Sequence, residues 1–186
     1  LIGSSLIYAG GCTLNDAFDQ DFDQTHNPKR PLPSGSISAQ TVWILGSLEL
    51  ILGGIFLVMA AGCEKTWVFA LIASVLFYDY IHKKWAGGII IMGGCRFFLW
   101  LVAATAAGKS ELAPQSLIWA SVLASYIIGI SWFARGESRK KTEPVQYSII
   151  LLFSTPLMAL ALLVYWNQLD PIRVFLCNLT GLLVAW

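Results

Sequence analysis

Charge is what this chain has least of. Asp, Glu, Lys and Arg make up 12% of its 186 residues, whereas a soluble domain carries about a quarter. That scarcity leaves two choices: an unusually large core, or lipid as the solvent. Net charge is scarce as well, at +1, so nothing points to nucleic acid as a partner. The four cysteines, Cys12, Cys63, Cys95 and Cys177, lack metal-type spacing and sit mostly in apolar runs. That argues against a zinc module or a disulfide framework and leaves buried thiols. No basic n-region or cleavage site opens the chain, so no signal peptide is expected.

Apolar length is plentiful. The chain is 56% hydrophobic, with a mean hydropathy of +0.66. Runs with few or no charges cover residues 41–62, 66–81, 86–108, 112–134 and 145–166. Most reach the ~20 residues that a helix needs to cross a bilayer. Residues 1–14 and 171–186 look like parts of two more spans. The expectation is one all-α domain over residues 1–186: a polytopic bundle of about seven transmembrane helices, two of them incomplete. The chain opens without Met and stops inside an apolar run, so it reads as a fragment of a longer protein, incomplete at both ends.

The few charges are placed unevenly. The first, third and fifth loops carry Lys29 and Arg30, then Lys83 and Lys84, then Arg135, Arg139, Lys140 and Lys141. The second and fourth carry only Lys65 and Lys109. Basic residues mark the cytoplasmic side. The odd-numbered loops are therefore expected to face the cytoplasm, in a bacterial inner membrane, or the equivalent face of an organelle membrane. Most of the acids lie in the same loops. Trp43, Trp67, Trp85, Trp132 and Trp166 fall near the span ends, as an interfacial belt would.

Four of the acids, Asp16, Asp19, Asp21 and Asp23, lie within eight residues. On a helix continuing from residues 1–14, Asn15, Asp19 and Asp23 stand at i, i+4 and i+8, with Asp16 beside them. Bare carboxylates at this spacing repel and weaken a helix. A divalent cation would reverse the sign, and Mg²⁺ suits hard oxygen ligands shared with water and substrate phosphates. A solvated acidic helix end is the plainer alternative. In the loop that follows, Pro31 and Pro33 stiffen the chain, Gly35 permits a turn, and Ser36 or Ser38 can cap the next helix. Lys29 and Arg30 could touch phosphate or serve only as interfacial anchors.

Two further features stand out. The segment YDYIHKKW, residues 78–85, places Tyr80 four residues before Lys84, Tyr78 before His82 and Asp79 before Lys83. Either lysine would suit a phosphate as a point charge, or be an anchor at a helix end. Arg96 falls near the middle of an apolar span, where an arginine is costly and usually faces a cavity or a partner. The partner could be Glu49, the acid near mid-span of 41–62, or a substrate diphosphate. Gly93 and Gly94 beside it allow close helix approach or a kink.

Asn15-Asp16-x-x-Asp19-x-x-x-Asp23, followed by Lys29-Arg30-Pro31-Leu32-Pro33-Ser34-Gly35, resembles the NDxxDxxxD and KRPLPSG segments of the UbiA superfamily of intramembrane prenyltransferases. Tyr80-x-x-x-Lys84 resembles that family's YxxxK element. The resemblance implies an all-helical fold of nine spans, of which this chain would cover about seven. It implies that Asn15, Asp19 and Asp23 hold Mg²⁺ on the diphosphate of a polyprenyl donor, and Asp16 matches the motif as well. It also implies diphosphate contact by Tyr80, Lys84 and Arg96, with Lys29 and Arg30 nearby.

The resemblance also implies a second aspartate-rich motif between the sixth and seventh spans. Here that loop is WFARGESRKKTEP, without an aspartate. Glu137 is its one acid at a plausible place, and Arg135 and Arg139 could supply positive charge instead. The expected function is Mg²⁺-dependent transfer of a polyprenyl group to an aromatic or other lipophilic acceptor. The alternative is a UbiA-like protein that binds or carries an isoprenoid, or another lipophilic molecule, without turnover. A generic transporter predicts internal repeats and broken mid-membrane helices, and no such repeat is present.

Overall fold

The computed structural model of the chain describes residues 1–109, 111–138 and 145–166, side chains excepted at 136–138, 145 and 146. The described residues form helices joined by short loops: α1 (Ile2–Phe18), α2 (Gln20–His26), α3 (Ala39–Ile55), α4 (Lys65–Ile81), α5 (Gly88–Ala104), α6 (Pro114–Ser138) and α7 (Val145–Tyr165). Each expected span over residues 1–166 matches one helix, with ends displaced by a few residues. The span expected at 171–186 lies outside the described residues.

Three helical segments, Ala39–Ala60, Pro114–Arg135 and Tyr147–Tyr165, are long and apolar enough to cross a membrane. Only 28%, 17% and 11% of their apolar windows are buried within the chain. Their remaining apolar surface suits lipid or further helices, not water. The helices α1, α4 and α5 have 17 residues each, a rise of about 25 Å. The helix α1 gains reach from α2, which follows after a single non-helical residue, Asp19.

The helices pack in the order α3–α1–α4–α5–α6–α7, α1 lying between α3 and α4. The closest seam is α1 against α3, and glycines make it. A Cβ on Gly10 would sit 2.9 Å from the Gly46 carbonyl oxygen, and one on Gly53 would sit 2.8 Å from that of Gly3. Both helices carry these glycines seven residues apart, so two turns of backbone touch along one stripe. Gly93 does the same against α6, where a Cβ would meet Ile128 at 2.6 Å, whereas Gly94 faces open space. The helix α5 runs unbroken through both, so close approach, not a kink, accounts for Gly93.

Loops fall at two ends. At one end the Ala107 and Gly108 amides donate to the Ala61 and Gly62 carbonyls, and the Glu64 amide donates to Thr105 Oγ1. At the other end meet the α2–α3 loop, the α4–α5 loop and the last turns of α6, which hold Lys29, Arg30, Lys83, Lys84 and Arg135. Five of the eight described Lys and Arg residues thus gather at one end of the helix row, while Lys65 and Lys109 lie toward the other and Arg96 lies within α5. There Gly35 adopts φ +76, and Ser38 Oγ accepts from the Thr41 amide at 3.1 Å to cap α3. Leu32 is buried against Ala17 and Val42, with Ile37 packed beside them, so the proline-rich loop is pinned onto α1 and α3 by its large apolar residues.

Candidate functional site

The four aspartates are not alike. Asp19 and Asp23 are 3% and 2% exposed, whereas Asp16 and Asp21 are exposed. Helical spacing puts Asn15, Asp19 and Asp23 on the covered stripe, and the break at Asp19 leaves it intact, since the Asp23 amide still donates to the Asp19 carbonyl at 2.8 Å. A solvated helix end therefore describes Asp16 and Asp21 only.

Asp19 and Asp23 are each met by a cation from another segment. Asp23 Oδ2 accepts from Arg30 Nη1 at 2.7 Å, and its Oδ1 from Asn27 Nδ2 at 2.8 Å. The same Arg30 nitrogen lies 3.3 Å from Asp16 Oδ1. Asp19 Oδ2 lies 3.4 Å from both Lys83 Nζ and His82 Nε2. His82 Nδ1–H is turned back to donate to the Tyr78 carbonyl at 3.2 Å. Asn15 Nδ2 donates to Asp79 Oδ1 at 3.0 Å. A cleft of about 170 Å³, lined by Thr13, Asp16, Asp23, Arg30, Pro31 and Leu32 among others, opens between α1, α3 and the proline-rich loop.

The YDYIHKKW segment presents two faces. Asp79, His82 and Lys83 face the acidic stretch, with Tyr78 stacked on His82 at 4.9 Å. Tyr80 and Lys84 pair with each other, the ammonium 4.0 Å over the ring, and Tyr80 packs edge-on to Phe18. Neither contacts a carboxylate among the described residues. Arg135 reaches across from α6, its Nη2 donating to the His82 carbonyl at 2.6 Å and its Nη1 to the Ala86 carbonyl. It thereby ties down the turn that carries His82 and Lys83. Glu49 accepts from Thr13 Oγ1 at 2.9 Å, so the pairing of Glu49 with Arg96 is not formed. Arg96 has no hydrogen bond or ion pair among the described residues. Lys29 is exposed. Glu137 lies in the last turn of α6 with its side chain outside the description, and Arg139 lies outside the described residues.

The sequence profile of the UbiA prenyltransferase family matches residues 1–186. The chain belongs to that family. Among its curated relatives in the UbiA group, it is similar to a digeranylgeranylglyceryl phosphate synthase of Sulfolobus acidocaldarius, 34% identical over 63% of this chain and 41% of the relative. It is 43% identical to a protoheme IX farnesyltransferase of Bacillus pumilus over 46% of this chain and 28% of the relative. A 4-hydroxybenzoate octaprenyltransferase of Polaromonas naphthalenivorans is 29% identical over 66% of this chain and 42% of the relative. The chain thus spans less than half the length of these relatives. No solved structure matches it.

Within this UbiA-family chain, the oxygen donors suit a hard divalent cation. Asn15, Asp19 and Asp23 bring oxygen donors, and beside them buried Asp79 Oδ2 has no hydrogen-bond partner among the described residues. No three acidic, His or Cys side chains among the described residues close around an ion unaided. A divalent cation held there would need water and phosphate oxygens to fill its shell. The arrangement also shows what spacing alone missed: Asn27 and Asp79 have no place in the motif, yet each holds a motif residue. The available signal for Asp79 was its position one turn before Lys83, on the face shared with His82.

These contacts have measurable consequences. Burial pushes the Asp23 carboxyl up, but hydrogen bonds from Asn27 and Arg30 and the charges of Arg30 and Lys83 outweigh it. Its pKa lies below the ordinary 3.8. A lowered folded pKa adds stability that is complete above the unfolded value and is lost as pH falls through the folded one. The stability gap between wild type and Asp23→Asn should stay level from neutral pH down to about pH 5 and close only below about pH 4, in thermal melts across pH. For Arg135→Gln, loss of the carbonyl clamp should cost about 1–2 kcal/mol and loosen the α4–α5 turn. Hydrogen exchange at residues 82–87 should rise more than elsewhere, and Arg135→Lys should not rescue it, because a point charge cannot span two carbonyls.

Proposed function

We propose that this chain carries the donor-binding end of an integral membrane prenyltransferase that uses Mg²⁺. The observation that carries the reading is the pair of buried carboxylates, Asp19 and Asp23, each facing cations from other loops, at the end of a row of apolar helices. A cluster built only for stability gains little from such pairs, because desolvation offsets most of the attraction. A cluster built to receive a metal-bound diphosphate needs both signs of charge together.

In this reading Asn15, Asp19 and Asp23 hold the cation, with Asp16 at the rim. When bound, the cation neutralises charge on the departing diphosphate. Lys83, Arg30 and Arg96 would exchange their present surroundings for diphosphate oxygens. Tyr80, Lys84 and Lys29 attract the anion at the mouth, while Arg135 holds the turn beneath and Glu137 stands in for the acids of the second motif. The allylic C–O bond breaks, its electron pair leaving with the diphosphate. The acceptor's nucleophilic atom then forms the new bond to that carbon and loses its proton to solvent. Apolar helices shelter the polyprenyl tail and keep water from the carbon that loses the diphosphate. The basic end faces the cytoplasm on charge placement. The relatives' names specify different acceptors, protoheme IX and 4-hydroxybenzoate among them, so the acceptor is left as a lipophilic nucleophile.

The test uses full-length protein in nanodiscs supplied with geranylgeranyl or longer diphosphates and a panel of lipophilic acceptors. Diphosphate release that requires both Mg²⁺ and acceptor supports transfer. Tight Mg²⁺-dependent binding without release would favour a carrier, the reading encouraged by the missing aspartates between α6 and α7. No binding at all would overturn the donor assignment.

A further inference from the structure

Asp79 has no role in the reaction just described, and its surroundings call for one. It lies in the last turn of α4, is 5% exposed, and leaves Oδ2 without a partner among the described residues. A buried carboxylate with an unmet oxygen is costly. Among the described residues its carboxylate takes one side-chain hydrogen bond, from Asn15 Nδ2, and Asn15 begins the stripe that contains Asp19 and Asp23.

The chemistry of that hydrogen bond is directional. Asp79 Oδ1 accepts here and Asn15 Nδ2 donates, so the amide nitrogen of Asn15 is drawn toward α4. The carbonyl oxygen of Asn15, at the other end of the same planar group, is then turned away from Asp79. Without the carboxylate, the amide could rotate by half a turn about its Cβ–Cγ bond and offer its NH₂ group to a cation, which would repel it. Apolar or hydroxyl side chains at position 79 would not enforce this choice.

We infer that Asp79 is a positioning residue: it orients the Asn15 amide so that oxygen, not nitrogen, is presented to the divalent cation. The inference rests on the proposed metal-diphosphate reading. A plain clip between α1 and α4 would use the same hydrogen bond, so stability alone does not distinguish the two. Metal dependence does.

The experiment titrates Mg²⁺ against geranylgeranyl diphosphate binding, with full-length protein in nanodiscs and a thermal melt of each variant. Asp79→Ala should raise the Mg²⁺ concentration for half-maximal binding by about tenfold or more, the usual effect of removing a group that orients a metal ligand. Asn15→Asp placed in the Asp79→Ala background should recover most of that loss, because a carboxylate presents oxygen whichever way it turns. Asp79→Asn, isosteric and able to donate as well as accept, should fall between wild type and Asp79→Ala, and serves if the alanine variant does not fold. An unchanged Mg²⁺ requirement in both Asp79 variants, whatever their melting temperatures, would overturn the inference alone. So would a defect that Asn15→Asp fails to relieve. Wild-type protein that binds the diphosphate without needing Mg²⁺, or not at all, would overturn the donor reading and this inference with it.

Discussion

Asp19→Ala and Asp23→Ala should each slow Mg²⁺-dependent diphosphate release by on the order of 10²–10³-fold or more, the scale of losing one group that stabilises charge in a transition state. Asp21→Ala should leave it unchanged. The four aspartates are equivalent by composition, and burial separates them. Asp19 and Asp23 are covered and face Lys83, His82, Arg30 and Asn27, whereas Asp21 faces solvent. Removing either buried carboxylate also strands a cation, but Lys83 and Arg30 are 40% and 48% exposed and can rehydrate. The fold should therefore lose only about 1 kcal/mol at Asp23 or Asp19, far less than the catalytic effect. Release assays beside thermal melts measure both. If all three variants behaved alike, the acidic stretch would be a solvated helix end after all.

The second large effect is on the scaffold. Gly10→Val should separate α1 from α3. The new Cβ would lie 2.9 Å from the Gly46 carbonyl and 3.0 Å from the Leu50 amide nitrogen. Both are backbone atoms that no rotamer change can move aside. Overpacking of this kind costs about 1–3 kcal/mol, and α1 leads directly into the acidic stretch, so Mg²⁺-dependent binding should weaken as well. Gly94→Ala is the control: nothing lies within 4 Å of its would-be Cβ, and alanine in an open helix position gains about 0.5–1 kcal/mol over glycine. Thermal unfolding followed by exposure of buried Cys63 and Cys95 reads out both variants. Equal melting temperatures for Gly10→Val and wild type would show that the α1–α3 seam is not a close backbone contact.

Several features of the fold and the site are legible in the chain's own chemistry. Apolar run lengths locate the helices over residues 1–166, because a lipid solvent forces the backbone to satisfy its own hydrogen bonds. The turn at Gly35 and the cap at Ser38 follow from local backbone and side-chain chemistry, which acts over three or four residues. The stripe of Asn15, Asp19 and Asp23 follows from helical periodicity. Other features have no local signal. Gly93 and Gly94 are adjacent and chemically identical, yet only one touches a neighbouring helix. Glu49 and Arg96 resemble a mid-span pair by position, and Thr13 takes the glutamate instead.

By itself, then, the sequence determined an all-helical chain for an apolar solvent, with its basic loops at one end and a periodic row of oxygen donors leading into them. These depend on composition and on the spacing of neighbours along the chain. Tertiary structure alone decided which carboxylates are covered, which lysine of Lys83 and Lys84 meets them, that Arg135 grips carbonyls, and that Asp79 holds the Asn15 amide. Each of those contacts joins residues 49 to 64 positions apart, and only the packing of α1 on α4 and of α6 over the α4–α5 turn brings them within hydrogen-bond reach.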